Sequence, residues 1–351
     1  MDRITNTMLS RTEKSFRQEL YQKYYPGIPK AGAGRSGEEA RAAHQEKSRT
    51  HPCFNGCGGQ YARIHLPVAP DCNIQCNYCR RDFDCPNESR PGVTTKVLSP
   101  PEALERYRLA KEEIPHLEVV GIAGPGDALA NFENTYQTLS LIRQEEPDIT
   151  FCLSTNGLML PLYADRLAEL GVSHVTVTVN AVEPSVGARI YHHVDYMGQR
   201  YTGESAAAIL MANQLAGIYR LRELGIICKV NIVMLKGLND DHVPQVVEKV
   251  RALGCELTNI MQMIPVKGSA FERTPLTSKK EIEDMRRKCE EICPQMHHCA
   301  QCRADAVGTL ANDLSGHYRT EDCAAAVKKA EPPVERRNGG EGMDDLSAVS
   351  K

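Results

Sequence analysis

The chain has 351 residues, a formal net charge of −3 and 14 cysteines. The small negative charge argues against a broad nucleic-acid footprint, and no run reaches the roughly 18 apolar residues of a membrane span. The N-terminal stretch MDRITNTMLSRTEKSF also lacks the apolar region of a signal peptide. We therefore expect a cytoplasmic protein that binds neither nucleic acid nor a membrane.

The cysteine content indicates metal binding. Cytoplasmic thiols are kept reduced, so the 14 cysteines are not expected to form disulfide bonds. Metal sites are the usual alternative for a cysteine-rich chain in that compartment.

Both ends of the chain lack the features of packed elements. Residues 28–50 are small and charged and have no apolar periodicity. The tail from Lys328 is polar and rich in Pro and Gly, which is typical of disorder. We expect these two regions to be the least structured parts of the chain.

Between these ends, short apolar runs alternate with amphipathic stretches. The predicted strands are 62–69, 117–124, 148–155, 174–180, 226–235 and 257–265. The predicted helices are 101–113, 131–145, 161–170, 204–224, 240–253 and 278–293. This alternation predicts an α/β fold with a parallel sheet covered by helices. Six such units fit a partial barrel or an open doubly wound sheet, and in both the active site lies at the C-terminal ends of the strands.

The stretch CNIQCNYC follows the first predicted strand, in the loop at the catalytic end of the sheet. It places Cys72, Cys76 and Cys79 in the spacing C-x3-C-x2-C. A zinc site needs a fourth close ligand, and a cluster that only carries electrons needs four thiolates. Three thiolates on a [4Fe–4S] cluster leave one iron open for a substrate or cofactor. We favour this open cluster over a zinc knuckle, and we call these three cysteines the radical set.

The radical set resembles that of the radical S-adenosylmethionine (SAM) superfamily. The resemblance implies a partial (β/α)6 barrel in which Cys72, Cys76 and Cys79 hold the cluster. It also implies that the open iron binds SAM and that one electron cleaves SAM to a 5′-deoxyadenosyl radical. Tyr78 stands at the position that packs near the adenine in that superfamily.

Loops after the following strands match further motifs of the superfamily. The stretch GIAGPGDA (121–128) corresponds to a Gly-rich motif that binds the SAM amino group. It departs from the common form because it lacks a glutamate, and Asp127 is the nearest acid. The stretch STNG (154–157) and the end of the fourth strand correspond to positions that hold the SAM carboxylate and ribose. The implied SAM contacts are Tyr78, Gly124, Gly126, Asp127, Ser154, Asn156 and Asn180.

Additional motifs narrow the resemblance. They are HPCF (51–54), ARIHLPVAP (62–70), RRDFDCPNESRPG (80–92), FCLSTNG (151–157) and CAQCRADAVG (299–308). Together they resemble the NifB family of nitrogenase FeMo-cofactor biosynthesis proteins. Members of that family carry two further [4Fe–4S] clusters, K1 and K2. They fuse these clusters with an extra sulfur and a carbide from a SAM methyl group into an 8Fe–9S–C precursor, NifB-co.

This resemblance implies ligands for both further clusters. The K1 ligands, which we call the histidine set, are Cys53, His65 and Cys152. The K2 ligands, which we call the C-terminal set, are Cys85, Cys299 and Cys302. One nitrogen ligand makes physical sense, because a cluster that must be released should not be held by thiolates alone.

Other candidate residues are less constrained. Glu88, three residues after Cys85, is implied as a catalytic, proton-handling acid, and the alternative is a solvated loop acid. Core packing is favoured over ligation for Cys289, Cys293 and Cys323. Cys57 is not a residue that the family pattern leads us to expect.

The implied organisation has four parts. They are an N-terminal extension (1–50) that is partly flexible, a radical SAM core (51–277), a C-terminal cluster-binding extension (278–327) and a disordered tail (328–351). Only a short polar stretch follows Cys323, so we expect the form without a NifX-like domain.

The resemblance also implies partners. They are an iron–sulfur cluster donor, a reductant such as ferredoxin or flavodoxin, and a NifX-like carrier or NifEN scaffold that receives the product. Two alternatives stay open. One is another radical SAM enzyme with auxiliary clusters, such as the molybdopterin-precursor cyclase or a peptide-modifying maturase. The other is a non-catalytic iron–sulfur carrier, for which six βα units are more scaffold than electron transfer needs.

Overall fold

The computed structural model describes residues 37–54, 56, 59–80, 88 and 90–318. Three of the cysteines discussed above, Cys57, Cys85 and Cys323, lie outside the described residues, as does the tail from Lys328. The described α-helices are α1 (Gly37–Ser48), α2 (Pro100–Glu113), α3 (Phe132–Glu145), α4 (Leu160–Glu169), α5 (Pro184–Ile190), α6 (Gly203–Glu223), α7 (Val243–Ala252) and α8 (Lys279–Glu290). Short 3-10 helices span Asp240–His242 and Ser315–Tyr318.

The strands form two sheets. They are β1 (Ala62–His65), β2 (Ile74–Cys76), β3 (Leu117–Ile122), β4 (Thr150–Thr155), β5 (Val172–Thr178), β6 (Tyr191–Tyr196), β7 (Gln199–Tyr201), β8 (Ile227–Met234), β9 (Leu257–Gln262) and β10 (Val307–Gly308). The main sheet has the order β10-β1-β3-β4-β5-β8-β9, and the smaller sheet has the order β2-β6-β7.

The main sheet decides between the two predicted architectures. Its six parallel strands follow one another in space in the order in which they occur in the chain. A doubly wound sheet would reverse its strand order at a switch point, so that alternative is wrong. The predicted partial (β/α)6 barrel is confirmed, and the antiparallel strand β10 extends it beyond β1.

Local sequence signals place the helix starts well. Ser99 with Glu102 and Ser278 with Glu281 each form a capping box at the start of α2 and α8. In such a box, two otherwise unpaired backbone amides are satisfied by side chains. The two helices begin at Pro100 and Lys279, one residue from the predicted starts at 101 and 278.

Apolar residues between the main sheet and the helices form the core. The rings of Phe132 in α3 and Tyr163 in α4 stack at a centroid distance of 3.8 Å. Fully burying a large apolar side chain contributes about 1.5–3 kcal/mol to stability. Among the described helices, none is both long enough and apolar enough to cross a bilayer.

The sequence predictions did not include α5, β6, β7 or β10. Two more elements lie where a loop or a weakly structured region was expected. Residues 37–48 form the helix α1, although this region has no apolar periodicity. The helix buries none of its residues, and polar contacts hold it, such as His44 Nδ1 against the Gly225 carbonyl at 2.9 Å. The stretch 74–76, expected in a loop, is the strand β2, which pairs with β6 through Ile74 and Val194. Both elements depend on partners that are distant in sequence.

Gly126 allows two loops at the C-terminal edge of the sheet to touch. Its amide donates to the Ala69 carbonyl at 2.6 Å, and a Cβ at this position would lie 2.0 Å from the Asp71 carbonyl oxygen. Asp71 directly precedes Cys72. The close approach therefore packs the loop after β3 against the loop that carries the radical set.

We expect Gly126→Ala to lower the free energy of unfolding by about 1–3 kcal/mol, because the added methyl group meets backbone that cannot move aside. Urea unfolding of the purified chain measures the change. Gly316→Ala is the matched control, since nothing lies within 4 Å of a Cβ at Gly316. Equal stability of the two variants would contradict the close contact.

Candidate metal centre

The radical set lies where the chain leaves β1 and forms β2. Its three thiols are half-buried, and Cys76 is the last residue of β2. The Gln75 side-chain amide donates to the carbonyl oxygens of Cys76 at 2.9 Å and Cys79 at 2.8 Å. The Cys79 amide donates to the Cys76 carbonyl at 3.1 Å. These bonds fix the turn that carries Cys79 beside the strand that carries Cys76.

Asn156, one of the predicted SAM contacts, meets the radical set. Its side-chain amide donates to Asn73 Oδ1 at 2.7 Å and lies 3.7 Å from Cys72 Sγ. It follows β4, whose C-terminal end lies at the same edge of the sheet as that of β1. The structure therefore brings this predicted residue to the cysteine loop.

Asn180 and Tyr78 also come together, although they are far apart in sequence. The Asn180 side-chain amide donates to the Tyr78 hydroxyl at 2.9 Å, and Asn180 Oδ1 accepts from the Val233 amide at 2.9 Å. Burial raises the pKa of Tyr78 well above its ordinary value, with the Cys76 thiol as a further cause. The phenol therefore stays neutral beside the radical set.

Asp127 is held by its own and neighbouring loops at the edge of the sheet. Its carboxylate accepts from the Leu129 and Ala130 amides, from the Thr155 hydroxyl and from the Asn156 amide. A carboxylate has about four lone-pair sites, and these donors can occupy all of them. Burial raises the pKa of Asp127, and the same hydrogen bonds oppose that shift. The residue positions Asn156 through the bond to its amide, and its contact with SAM stays a prediction.

The other three predicted SAM contacts are Gly124, Gly126 and Ser154, and Gly126 lies against the Ala69 and Asp71 carbonyls as described above. Gly124 has a φ of +127°, a conformation that favours glycine, and its carbonyl accepts from the Ala69 amide at 3.4 Å. Ser154 and Cys152 are the two half-buried residues of the otherwise buried strand β4. Because strand residues two apart share a face, both lie on the interior face of the barrel, with Ser154 nearer to the C-terminal edge.

His65, Gly121 and Cys152 form one row across three parallel strands. His65 of β1 pairs with Gly121 of β3, and Gly121 pairs with Cys152 of β4. A Cβ at Gly121 would lie 3.0 Å from Cys152 Sγ and 3.4 Å from His65 Nε2. The glycine thus leaves a space that is flanked by one nitrogen donor and one sulfur donor of the histidine set.

The structure also supplies the acceptor that a ligating histidine needs. His65 Nδ1 lies 2.9 Å from the Arg303 carbonyl oxygen. A carbonyl only accepts, so Nδ1 carries the proton and Nε2 has a free lone pair. Burial, followed by the charge of Arg63, lowers the pKa of His65 to about 4. Near neutral pH the ring is therefore uncharged and able to bind a metal through Nε2.

Cys53 completes the histidine set and lies near the C-terminal set. Burial raises the pKa of Cys53, and Cys302 and Cys299 are among the charges that act on it. Burial raises the pKa of Cys152 to about 12, and Cys53 and Cys302 act on that thiol as well. Both thiols are neutral without a metal, and a coordinating metal deprotonates a thiol outright. The donor types fit iron–sulfur clusters, because Cys152 and the neutral His65 imidazole flank the space at Gly121 and Cys53 acts electrostatically on Cys152.

The spacing of these donors does not fit a single ion. Among the described residues, no three His, Cys, Asp or Glu side chains converge on a position for one metal. A zinc site would draw its sulfurs to within ~3.8 Å of one another, given a zinc–sulfur distance of about 2.3 Å. The ligands of a four-iron cluster bind different irons and do not converge. For the described cysteines, the zinc knuckle is therefore the weaker interpretation.

Arg63 joins the C-terminal set to the barrel. The residue is 2 % exposed, and its guanidinium donates to Cys302 Sγ at 3.2 Å. It also donates to the carbonyl oxygens of Gly308 and Thr309. Cys299 Sγ lies 3.9 Å from Met261 Sδ. Cys85, the third member of this set, lies outside the described residues.

Glu88 is placed by two buried arginines. Its carboxylate pairs with Arg90, and its carbonyl oxygen accepts from Arg303. Arg303 also presents its own carbonyl to His65. Glu88 is therefore linked to the histidine set through one residue, while its catalytic role stays a prediction.

The remaining described cysteines belong to the core. Cys289 and Cys293 are 0 % and 1 % exposed and pack in the main apolar cluster with Cys228 and Cys255. This confirms the prediction that Cys289 and Cys293 pack in the core. Sequence reasoning overlooked Arg63, Gly121 and Lys229, which face the interior. A charged residue inside an otherwise apolar strand is the signal that could have revealed Arg63 and Lys229.

Comparisons with known proteins identify the family of the chain. Residues 66–250 match the family model of the radical SAM superfamily. The FeMo cofactor biosynthesis protein NifB of Klebsiella pneumoniae is 47% identical over 278 residues, which are 78% of this chain and 59% of that protein. The same protein of Frankia alni is 47% identical over 287 residues (79% of this chain, 56% of that protein). That of Chlorobaculum tepidum is 44% identical over 289 residues (82% and 68%). The chain thus spans less than two thirds of the first two relatives.

We expect Arg63→Met to lose iron at the C-terminal set, because it removes the donor to Cys302 and the ties to residues 308–309. Arg63→Lys should not restore the iron, since one ammonium cannot reproduce the fork of a guanidinium. Iron and sulfide analysis after anaerobic reconstitution measures the loss. Arg166→Met removes a buried arginine of α4 and serves as the control. Equal iron in Arg63→Met and the unmodified chain would rule out this role.

Proposed function

Because the chain belongs to the radical SAM superfamily and, within it, to the NifB family of FeMo cofactor biosynthesis proteins, we propose that it makes the iron–sulfur–carbide precursor of the nitrogenase cofactor. Its substrates are SAM and two [4Fe–4S] clusters, K1 and K2. The observation that carries this proposal is the space at Gly121 between His65 and Cys152, where Cys53 and Cys302 also act electrostatically on the Cys152 thiol. One radical SAM cluster alone would not need these additional donors.

Cys72, Cys76 and Cys79 hold the resident cluster. When bound, that cluster and its SAM supply a 5′-deoxyadenosyl radical that abstracts hydrogen. The protein orients SAM. The contact of Asn156 with the cysteine loop and that of Asn180 with Tyr78 support this role for both residues. Asp127 holds Asn156 in place through the bond to its amide.

The two substrate clusters take the two other ligand sets. The histidine set (Cys53, His65, Cys152) holds K1, and the C-terminal set (Cys85, Cys299, Cys302) holds K2. One SAM donates its methyl group to a sulfur of K2, and the radical from a second SAM starts the conversion of that methyl to carbide. Fusion of both clusters with an extra sulfur then yields the 8Fe–9S–C product. The nearness of Cys302 to Cys53 and Cys152 supports a fusion within one space.

The protein contributes positions, a buried environment and one ligand that is easily released. A neutral imidazole binds iron more weakly than a thiolate does, so His65 is the natural point at which K1 leaves its site. Glu88, linked to the histidine set through Arg303, is placed to handle protons during the loss of hydrogen from the methyl group.

Partners are needed at both ends of this reaction. We propose a cytoplasmic setting with an iron–sulfur cluster donor, a reductant such as ferredoxin or flavodoxin, and a NifX-like carrier or NifEN scaffold that accepts the product. An open pocket of about 360 Å3 beside Cys76 and Cys79 supports the approach of a reductant from this side.

We expect Cys76→Ala to abolish reductive cleavage of SAM and to leave most iron of the other two sets in place, because only the resident cluster depends on Cys76. Chromatographic detection of 5′-deoxyadenosine under dithionite measures cleavage, and iron analysis measures the clusters. Cys228→Ala, which changes a core cysteine, should retain cleavage. Undiminished formation of 5′-deoxyadenosine by Cys76→Ala would contradict the assignment of Cys76 as a ligand of the resident cluster.

If His65 binds K1, pulsed EPR of the reduced chain should show hyperfine coupling to a directly bound imidazole nitrogen. His65→Ala should erase that coupling and sharply reduce precursor formation, while Cys53 and Cys152 retain part of the cluster. His297→Ala, which changes an exposed histidine paired with Glu290, is the control. A coupling that survives in His65→Ala would show that the nitrogen comes from another residue.

A further inference from the structure

Lys229 is a buried cation inside the barrel. It lies on β8, where Cys228, Val230 and Ile232 pack in the core between the sheet and the helices. Because neighbouring strand residues point to opposite faces, Lys229 points into the interior. The residue is 6 % exposed, so its ammonium group has almost no contact with water.

The ammonium group has poor partners. Its nearest polar contact is Met296 Sδ at 3.8 Å, and it lies 5.3 Å from the centre of the Phe54 ring. No carboxylate of the described residues is within ion-pairing distance of it. A thioether and a cation–π contact offset only part of the penalty for burying an ammonium group. An anionic or electron-rich group in the interior would supply the partner that the ammonium group lacks among the described residues.

His51 presents a second unmatched donor in the same region. Its Nδ1 accepts from the Cys53 amide at 3.1 Å, so the neutral ring carries its proton on Nε2. That Nε2 is buried and has no hydrogen-bond partner within the described part of the chain. The ring packs against Phe54 and His174 at centroid distances of 4.8 Å and 4.7 Å. His51 is therefore held rigidly, with an unused N–H.

Both donors adjoin the histidine set. Lys229 acts electrostatically on Cys53, Cys152 and His65, and His51 is two residues before Cys53. Cys152 pairs with His174 of β5, and the His174 ring packs against His51 and Phe54. Lys229 Nζ lies 5.3 Å from the centre of the same Phe54 ring. Both donors therefore adjoin the space that His65, Gly121 and Cys152 leave open. An iron–sulfur cluster has sulfide acceptors that suit such donors.

We propose that Lys229 and His51 are positioning residues for the substrate cluster of the histidine set. The lysine supplies the counter-charge for the reduced cluster, and His51 Nε2–H donates to a cluster sulfide. This inference rests on the proposed function, because the electron-rich group that it identifies is the cluster held by Cys53, His65 and Cys152.

The charges of the cluster and its ligands explain why Lys229 and His51 would stabilise the reduced cluster. A [4Fe–4S] core carries two positive charges when oxidised and one after it accepts an electron. Two thiolates and a neutral imidazole therefore leave the oxidised cluster neutral and give the reduced cluster one negative charge. A cation and an N–H donor beside the cluster stabilise the extra electron, since net charge and hydrogen bonds to sulfur set cluster potentials.

The experiment isolates this cluster in the full chain. Alanine replaces the cysteines of the radical and C-terminal sets, which are Cys72, Cys76, Cys79, Cys85, Cys299 and Cys302. The chain is reconstituted anaerobically with ferrous iron and sulfide, and its midpoint potential is measured by dithionite titration followed by EPR. Lys229→Met and His51→Phe should each lower the potential, with the larger shift in Lys229→Met. Lys229→Arg should retain it, and Lys111→Met, which changes a lysine outside the barrel, should have no effect.

The melting temperature of the metal-free chain separates this role from a structural one. Removing an ammonium group without a counter-charge should raise that temperature in Lys229→Met, whereas loss of a structural lysine would lower it or prevent folding. An unchanged potential, or a lowered melting temperature, in Lys229→Met overturns the proposal.

Failure of the proposed function gives a distinct result. In the same chain, His65→Ala and Cys152→Ala should each reduce bound iron by at least half. If neither does, no cluster occupies the histidine set, and both the proposed function and this inference are wrong. If both variants lose that iron and Lys229→Met has the same midpoint potential as its parent chain, the proposed function stands and the inference about Lys229 is wrong.

Discussion

His65, Gly121 and Cys152 stand side by side because β1, β3 and β4 pair in parallel with a fixed register. A shift of one residue in either pairing would turn one of these side chains to the other face of the sheet. Glycine at the centre of the row is as important as the two donors, since any side chain there would fill the space between them. The rest of the interior is arranged around that space.

Buried polar groups in this interior fall into two kinds. Asp127 has its acceptors matched by donors of its own and neighbouring loops, so it stabilises the edge of the barrel. The terminal nitrogens of Arg63 have carbonyl oxygens, a thiol and Asp313 as partners, and only its Nε has none among the described residues. Lys229 and His51 lack matching partners among the described residues. Buried polar groups are normally satisfied, and unmatched donors beside metal-binding side chains are therefore informative about what the site holds.

Hydrogen bonds also connect loops that are separate in sequence. Asn156 reaches the cysteine loop from the end of β4, and Asn180 reaches Tyr78 from beyond β5. Such contacts arise because parallel strands end at one edge, where every βα loop meets its neighbours. SAM, which must contact several of these loops, would be held by the fold as a whole.

Sequence alone determined the alternation of strands and helices, the capping boxes at Ser99 and Ser278, and the spacing of Cys72, Cys76 and Cys79. These are local signals, because periodicity, capping and short motifs involve residues that are near one another in the chain. It did not determine the helix α1 or the strand β2, which are held by distant polar contacts and by pairing with β6.

Tertiary structure also decided the relation between ligand sets. Only the register of β1, β3 and β4 shows that His65 faces Cys152, and only the folded chain shows that the Arg303 carbonyl fixes the proton of His65. The same holds for Lys229, whose sequence neighbours are apolar and whose interior surroundings come from other elements. Cluster binding depends on side chains from several strands lining one space, and that arrangement is a property of strand register and barrel closure, which no local pattern encodes.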